Sequence, residues 1–196
     1  MSNRRVQVVV LCEGVKDYWF AYKCLVTCGW RRDQITVNRS NAGKESAFTF
    51  VLNQYTTEVR ANRQGKKKER ALLVMIDGDG QPEDGRESEL AKRLAAAKQK
   101  PRQATERIAL WVPRKQLETW VYFLTHGEAD EEAEYKRTHR VKEKEYTPAA
   151  DLLAKLLKEQ RSLPLKALPS LRKAVAEFRR LRAPSIKASK VSKRRR

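Results

Sequence analysis

Apolar residues fall along this chain in two rhythms, short unbroken runs and longer stretches at helical spacing, and the two alternate as far as about residue 125. Arg5-Val-Gln-Val-Val-Val-Leu-Cys12 reads as a first strand. After Glu13-Gly14, residues 15–28 read as a helix in which Tyr18, Phe20, Tyr22, Leu25 and Val26 are the expected buried positions. Gly29 closes that helix, residues 34–38 predict a short second strand, and residues 46–61 a second helix. Ala71-Leu-Leu-Val-Met-Ile76 is apolar without interruption, as a strand covered on both faces should be, because a half-exposed strand alternates instead. Residues 87–99 predict a helix stopped before Pro101. Residues 107–112 predict a fourth strand ended by Pro113, and residues 116–124 begin the next helix.

Alternating strands and helices imply an α/β fold with a parallel sheet and right-handed crossovers. The expected arrangement is four parallel strands in the Rossmann-like, flavodoxin-type order 2-1-3-4, in which strands one and three are neighbours flanking the switch point. From residue 128 the pattern changes to dense mixed charge, Glu-Ala-Asp-Glu-Glu-Ala-Glu-Tyr-Lys-Arg, expected to be an exposed helix or loop. Two more helices are expected at 148–160 and 170–181, the second carrying Leu171, Val175, Phe178 and Leu181 at helical spacing. The division predicted is an α/β core at 1–127, a helical extension packed on it at 128–183, and a basic tail at 184–196 that is disordered when free.

Charge changes the picture. The net charge is +19 and the pI about 10.1, so a polyanion is the first partner to consider. Removing the tail's six basic residues from +19 still leaves +13, so the core itself is basic. No apolar run approaches the roughly 20 residues that span a bilayer, and the N-terminus lacks a signal-peptide pattern, so a cytoplasmic location without membrane attachment is expected. The three cysteines Cys12, Cys24 and Cys28 form no Cys-x-x-Cys pair, which argues against a disulfide framework or a zinc site. Cys24 and Cys28 share one helix face and read as small buried residues. Gly43-Lys44 lacks the second glycine and the Ser/Thr of a nucleotide-binding loop, since Glu45 follows.

The candidate chemistry lies at the strand ends. Asp77 and Asp79 follow the third strand, Glu13 follows the first, and in the order 2-1-3-4 all three meet at the carboxyl edge of the sheet. Asp17 sits one helical turn beyond Glu13 on the same side. Carboxylates forced together need a proton or a cation, and Mg²⁺ (or Mn²⁺), which takes one or two protein carboxylates and fills its other positions with water and phosphate oxygens, suits them. In a basic protein that combination points to phosphodiester chemistry on nucleic acid.

Val10-Leu-Cys-Glu13-Gly14 together with Val74-Met-Ile-Asp77-Gly-Asp79 resembles the Toprim domain shared by topoisomerases, bacterial primases and the overcoming-lysogenization-defect nucleases. Glu13-Gly-Val-Lys-Asp17 is most similar to the nuclease branch. Pro113 with Leu117-Glu118-Thr-Trp120 resembles a motif of small Toprim-like proteins associated with phage defence, and Leu168-Pro-Ser-Leu-Arg172 has a similar look. The resemblance covers roughly the first two-thirds of the chain and implies a metal-dependent nuclease. Glu13, Asp77 and Asp79 would hold the metal, Asp17 would be a ligand to a second, and Glu118 an additional catalytic acid. An acid at position 118 is equally read as a favourable partner of a helix N-terminus. Lys16, Lys44, Arg114 and Lys115 are candidate phosphate contacts whose simpler reading is surface charge. The topoisomerase pattern does not continue, because Gly80-Gln81-Pro82 follow Asp79, and a primase would need further domains. A receiver domain needs paired acids after strand one, which Glu13-Gly14 does not provide. Two readings remain: a Mg²⁺-dependent nuclease acting on nucleic acid, DNA ahead of RNA, in phage defence; or a non-catalytic nucleic-acid-binding subunit serving a partner ATPase or effector.

Overall fold

The computed structural model describes residues 6–40, 45–65, 69–82, 84–135, 141–159, 163 and 166–182. Lys44, the middle of the basic run at 66–68 and the tail at 184–196 lie outside the described residues.

Four strands, β1 (Gln7–Cys12), β2 (Ile35–Arg39), β3 (Arg70–Met75) and β4 (Ile108–Trp111), form one parallel sheet in the order β2-β1-β3-β4. Among the described residues six α-helices accompany them: α1 (Val15–Thr27), α2 (Ala47–Gln64), α3 (Gly85–Ala96), α4 (Leu117–His126), α5 (Glu143–Lys158) and α6 (Pro169–Arg182). The expected fold class and strand order are what the chain adopts. Strand alternation sorts the sheet's side chains into two cores. Val8, Val10, Cys12, Leu73, Met75 and Trp111 face α1, α4, α5 and α6, whereas Val9, Leu11, Leu72, Val74, Ile76 and Leu110 face α2 and α3. Covering on both faces explains why β1 and β3 read as unbroken apolar runs.

The C-terminal helices share the first of these cores with the sheet, through Leu153, Leu157, Leu171 and Phe178. Helix α6 runs beside β4 and closes that edge: Glu177 accepts the Leu110 amide at 3.1 Å, and Arg102 donates to the Ile108 carbonyl at 2.9 Å. A side-chain cover of this kind occupies the groups that would otherwise accept another strand. Cys24 and Cys28 are buried, with their thiols directed to the Ala150 and Ala154 carbonyls of α5.

Two details differ from expectation. Helix α5 begins at Glu143, five residues before the expected start at Pro148. Proline removes only its own amide from the ladder, and the earlier turn is secured by the Lys142 amide donating to Glu145 at 2.6 Å and by buried Tyr146. In α1 the buried stripe is Phe20, Ala21, Cys24 and Leu25, while Tyr18 and Tyr22 are half-buried and Trp19 faces solvent. Within the charged stretch, residues 128–134 form a loop with short turns, anchored by buried Tyr135, whose hydroxyl accepts the Asp130 amide at 2.7 Å.

Candidate functional site

The crevice at the carboxyl edge between β1 and β3 is built from backbone geometry first. Beyond the last pair of β3 with β4 the two chains stay zipped: the Gly78 amide donates to the Pro113 carbonyl (2.9 Å), Asp79 to Lys115 (3.0 Å) and Gly80 to Arg114 (3.1 Å). A Cβ at position 78 would lie 2.3 Å from the Arg114 carbonyl oxygen and 2.5 Å from that of Pro113, so this approach requires glycine. Asp79 (φ 50°) and Gly80 (φ 71°) then take left-handed conformations, which aspartate tolerates better than most residues. The turn leaves Asp77 and Asp79 pointing in different directions.

Asp77 faces inward. Its backbone amide donates to Glu13 Oε1 at 2.9 Å, and its Oδ1 accepts the Leu117 amide at the N-terminus of α4 at 3.1 Å. Burial raises its carboxyl well above the usual range, and Asp17, Glu13, Glu118 and Asp79 raise it further, in that order. The four other acids singled out in the sequence thus all act on Asp77. Asp17 lies in the first turn of α1 and accepts the Gly14 amide at 2.9 Å, fixing the turn after Glu13. Glu118, in the first turn of α4, is buried and accepts Tyr146 Oη at 2.8 Å and Lys16 Nζ at 3.4 Å. Burial and then the Glu118 carboxylate push the Tyr146 phenol up, so it stays protonated and donates. Lys16 also stands 5.4 Å from the centre of the Tyr146 ring.

Asp79 turns outward to Arg86, a contact that sequence reading missed because it began that helix only at residue 87. Arg86 is only 5% exposed. It pairs with Asp79, donates to the Asp77 carbonyl at 2.9 Å and to Glu89 at 2.9 Å, and stacks 4.0 Å from the Phe48 ring centre. Its position in the first turn of α3, with Glu89 three residues on, was the only local sign of this role. Tyr146 was missed for a related reason, since the helix that carries it was expected to begin two residues later.

The candidate phosphate contacts divide. Lys16 stands at the crevice rim on Glu118. Arg114 is held by Glu132 (2.8 Å) and the Gln81 carbonyl, and Lys115 by the Glu132 carbonyl, so both brace the 113–115 loop rather than face the acids. Cys12, at the end of β1, is no nucleophile: burial, with Asp17 and Glu13 adding to it, pushes its thiol up to about 12.

Among the described residues, no three Asp, Glu, His or Cys side chains stand together as an ion's ligand set. Glu13, Asp17 and Asp79 are turned to the Asp77 amide, the Gly14 amide and Arg86. The donor set still fits a hard cation, because it consists of carboxylate oxygens and its innermost member is destabilised in its charged form by four like charges. No helix among the described residues is long and apolar enough to cross a membrane. Comparisons with protein-family models, with curated proteins and with solved structures each gave no match.

Proposed function

We propose that this chain is a Toprim-type nuclease that cleaves nucleic-acid phosphodiesters with Mg²⁺ or Mn²⁺, Glu13, Asp77 and Asp79 holding the metal and Asp17 completing a second position. One observation carries the reading: Glu13 and Asp77 are joined at the carboxyl edge between β1 and β3, the switch point where open α/β sheets bind ligands. When bound, the metal supplies an activated water and charge stabilisation at phosphorus. The chain's own residues do the rest. Gly78 lets the Asp77 loop lie against the 113–115 loop, the α4 N-terminus holds Asp77 Oδ1, and Arg86 fixes the backbone that carries both aspartates. Glu118, which accepts from Tyr146 and Lys16, would orient the attacking water, and Lys16 would meet a phosphate oxygen. The +19 charge supports a polyanionic substrate, DNA ahead of RNA, and the same reading places the protein in the cytoplasm in phage defence.

A second reading, a nucleic-acid-binding subunit without cleavage that serves a partner ATPase or effector, is favoured by the Asp79–Arg86 pair, in which a protein cation already neutralises one expected ligand. Incubating the purified protein with plasmid, single-stranded DNA and RNA, with Mg²⁺ or Mn²⁺ and with chelator, separates the two. Metal-dependent products support the nuclease; retention of nucleic acid without products under all conditions supports the subunit.

A further inference from the structure

Helix α1 starts two residues after Glu13, and its outer face carries a group of rings of which Tyr18 borders the core and Trp19 stands in solvent. Trp19 is 56% exposed and Val15 47%, the largest exposures among the big apolar side chains of the described residues. Tyr18 and Tyr22 surround Trp19, with ring centroids 5.0 Å (Tyr18–Trp19), 5.5 Å (Tyr18–Tyr22) and 5.6 Å (Trp19–Tyr22) apart. The other tryptophans are placed differently: Trp111 and Trp120 are fully buried, and Trp30 packs edge-on against Phe178. Leaving an indole in water forgoes a large burial gain, so a helix that buries Phe20 and Leu25 and presents Trp19 has a surface suited to a flat apolar partner.

Position and charge narrow the partner. Trp19 lies two residues, about 3 Å along the helix axis, from Asp17, so the rings stand in the first turns of α1 at the carboxyl edge, on the solvent face about 200° round the helix from that acid. Arg39 ends β2 at the same carboxyl edge, opposite Cys12 in register, and its charge acts on the Tyr18 hydroxyl. With Lys16 at the other rim and a net charge of +19, a flat apolar group attached to phosphates fits this edge better than a lipid or an apolar peptide does. Duplex bases already stack on each other and offer no face to a surface aromatic, whereas unpaired bases do.

We propose that Trp19, supported by Tyr18 and Tyr22 and with Arg39 at the same sheet edge, is a stacking platform for an unpaired base, so that single-stranded nucleic acid is the class of polyanion this edge binds. The inference rests on the nucleic-acid reading above and narrows it.

The test measures binding, not cleavage, in chelator. A fluorescein-labelled oligothymidylate and a hairpin duplex of equal length are titrated with the full chain and with Trp19→Ala and Trp19→Phe. The expected result is that Trp19→Ala weakens oligothymidylate binding about ten-fold or more, that Trp19→Phe recovers most of the loss, and that duplex binding is unchanged. Tryptophan emission of the parent should be quenched by the oligonucleotide, and that of Trp19→Phe should not, which decides the matter even if Trp19→Ala is unstable. Equal losses for both probes, no loss for either, or a parent dimer that Trp19→Ala converts to monomer would overturn the platform. With Mg²⁺ added afterwards, single-strand binding that depends on Trp19 but is followed by no cleavage would sink the nuclease reading alone. Metal-dependent cleavage untouched by Trp19→Ala, with unquenched emission, would sink the platform alone.

Discussion

Glu177 and Asp77 both lie at the sheet with little access to water, and they are treated in opposite ways. Glu177 has two guanidinium partners, Arg102 and Arg180, and accepts the Leu110 amide of the edge strand. Asp77 has four acids acting on it, and its acceptor bond comes from the first amide of α4. A carboxylate that the fold needs is surrounded by cations and donors; one surrounded by other carboxylates weakens the fold and is retained for another reason. Asp79 stands between the two cases, crowding Asp77 while paired with buried Arg86.

The largest effect on stability should come from the structural acid. Glu177→Ala leaves the Arg102 guanidinium and the Leu110 amide short of an acceptor, and breaking such a pair costs about 3–5 kcal/mol. Thermal melting should show that loss, while cleavage by the surviving folded protein at low temperature stays normal. Gly78→Ala ranks next. Its Cβ meets two backbone carbonyls that can move only with the 113–115 loop, so a loss on the order of 1–3 kcal/mol is expected, together with lost cleavage as Asp77 is displaced. A Gly78→Ala protein with parental melting and parental activity would show that the close approach is not needed.

Glu118→Gln separates catalysis from packing at a smaller scale. The amide can still accept from Tyr146, so the melting temperature should hardly change, whereas turnover should fall ten-fold or more if the carboxylate orients water. Normal cleavage with a slightly lower melting temperature would return Glu118 to the role of a helix-terminus partner worth about 0.3–1 kcal/mol.

The comparison also explains what could be read from the chain before its structure. The alternation of apolar runs and helical stripes specified the four strands and a parallel sheet, its order came from the flavodoxin-type class, and the strand ends put Glu13, Asp77 and Asp79 at the carboxyl edge. What was hidden depended on partners distant in sequence. Gly78 reads as an ordinary turn glycine until the 113–115 loop is placed against it. Arg86 shows locally only Glu89 three residues on, and Tyr146 nothing, because their value comes from Asp79 and Glu118 on other elements. Glu177 interrupts an amphipathic stripe at what looks like a solvent position, and only the free edge of β4 gives it an acceptor's task. Tyr18 and Tyr22 misled for the opposite reason, since aromatic residues at helical spacing count as core in sequence and are here half-exposed.

The pH response of Asp77 gives the smallest but cleanest difference. Its folded carboxyl holds a proton more tightly than the unfolded one, so ionisation destabilises the fold. That penalty is absent below the ordinary value of 3.8, where both states are protonated, grows as pH rises above it, and is complete above the raised folded value. Asp77→Asn should therefore melt like the parent in acid and above the parent at neutral pH without metal, with Mg²⁺ closing the gap by stabilising the parent only. A gap of the same size at every pH would trace the effect to packing instead.

The most direct measurement is metal-dependent cleavage by the parent and by folded Asp77→Asn, side by side on single-stranded DNA with Mg²⁺, with Mn²⁺ and with chelator. The account predicts products from the parent with either metal, none with chelator, and none from Asp77→Asn under any condition although it melts no lower than the parent. Cleavage by Asp77→Asn at the parent's rate, or parent cleavage that persists in chelator, would contradict it.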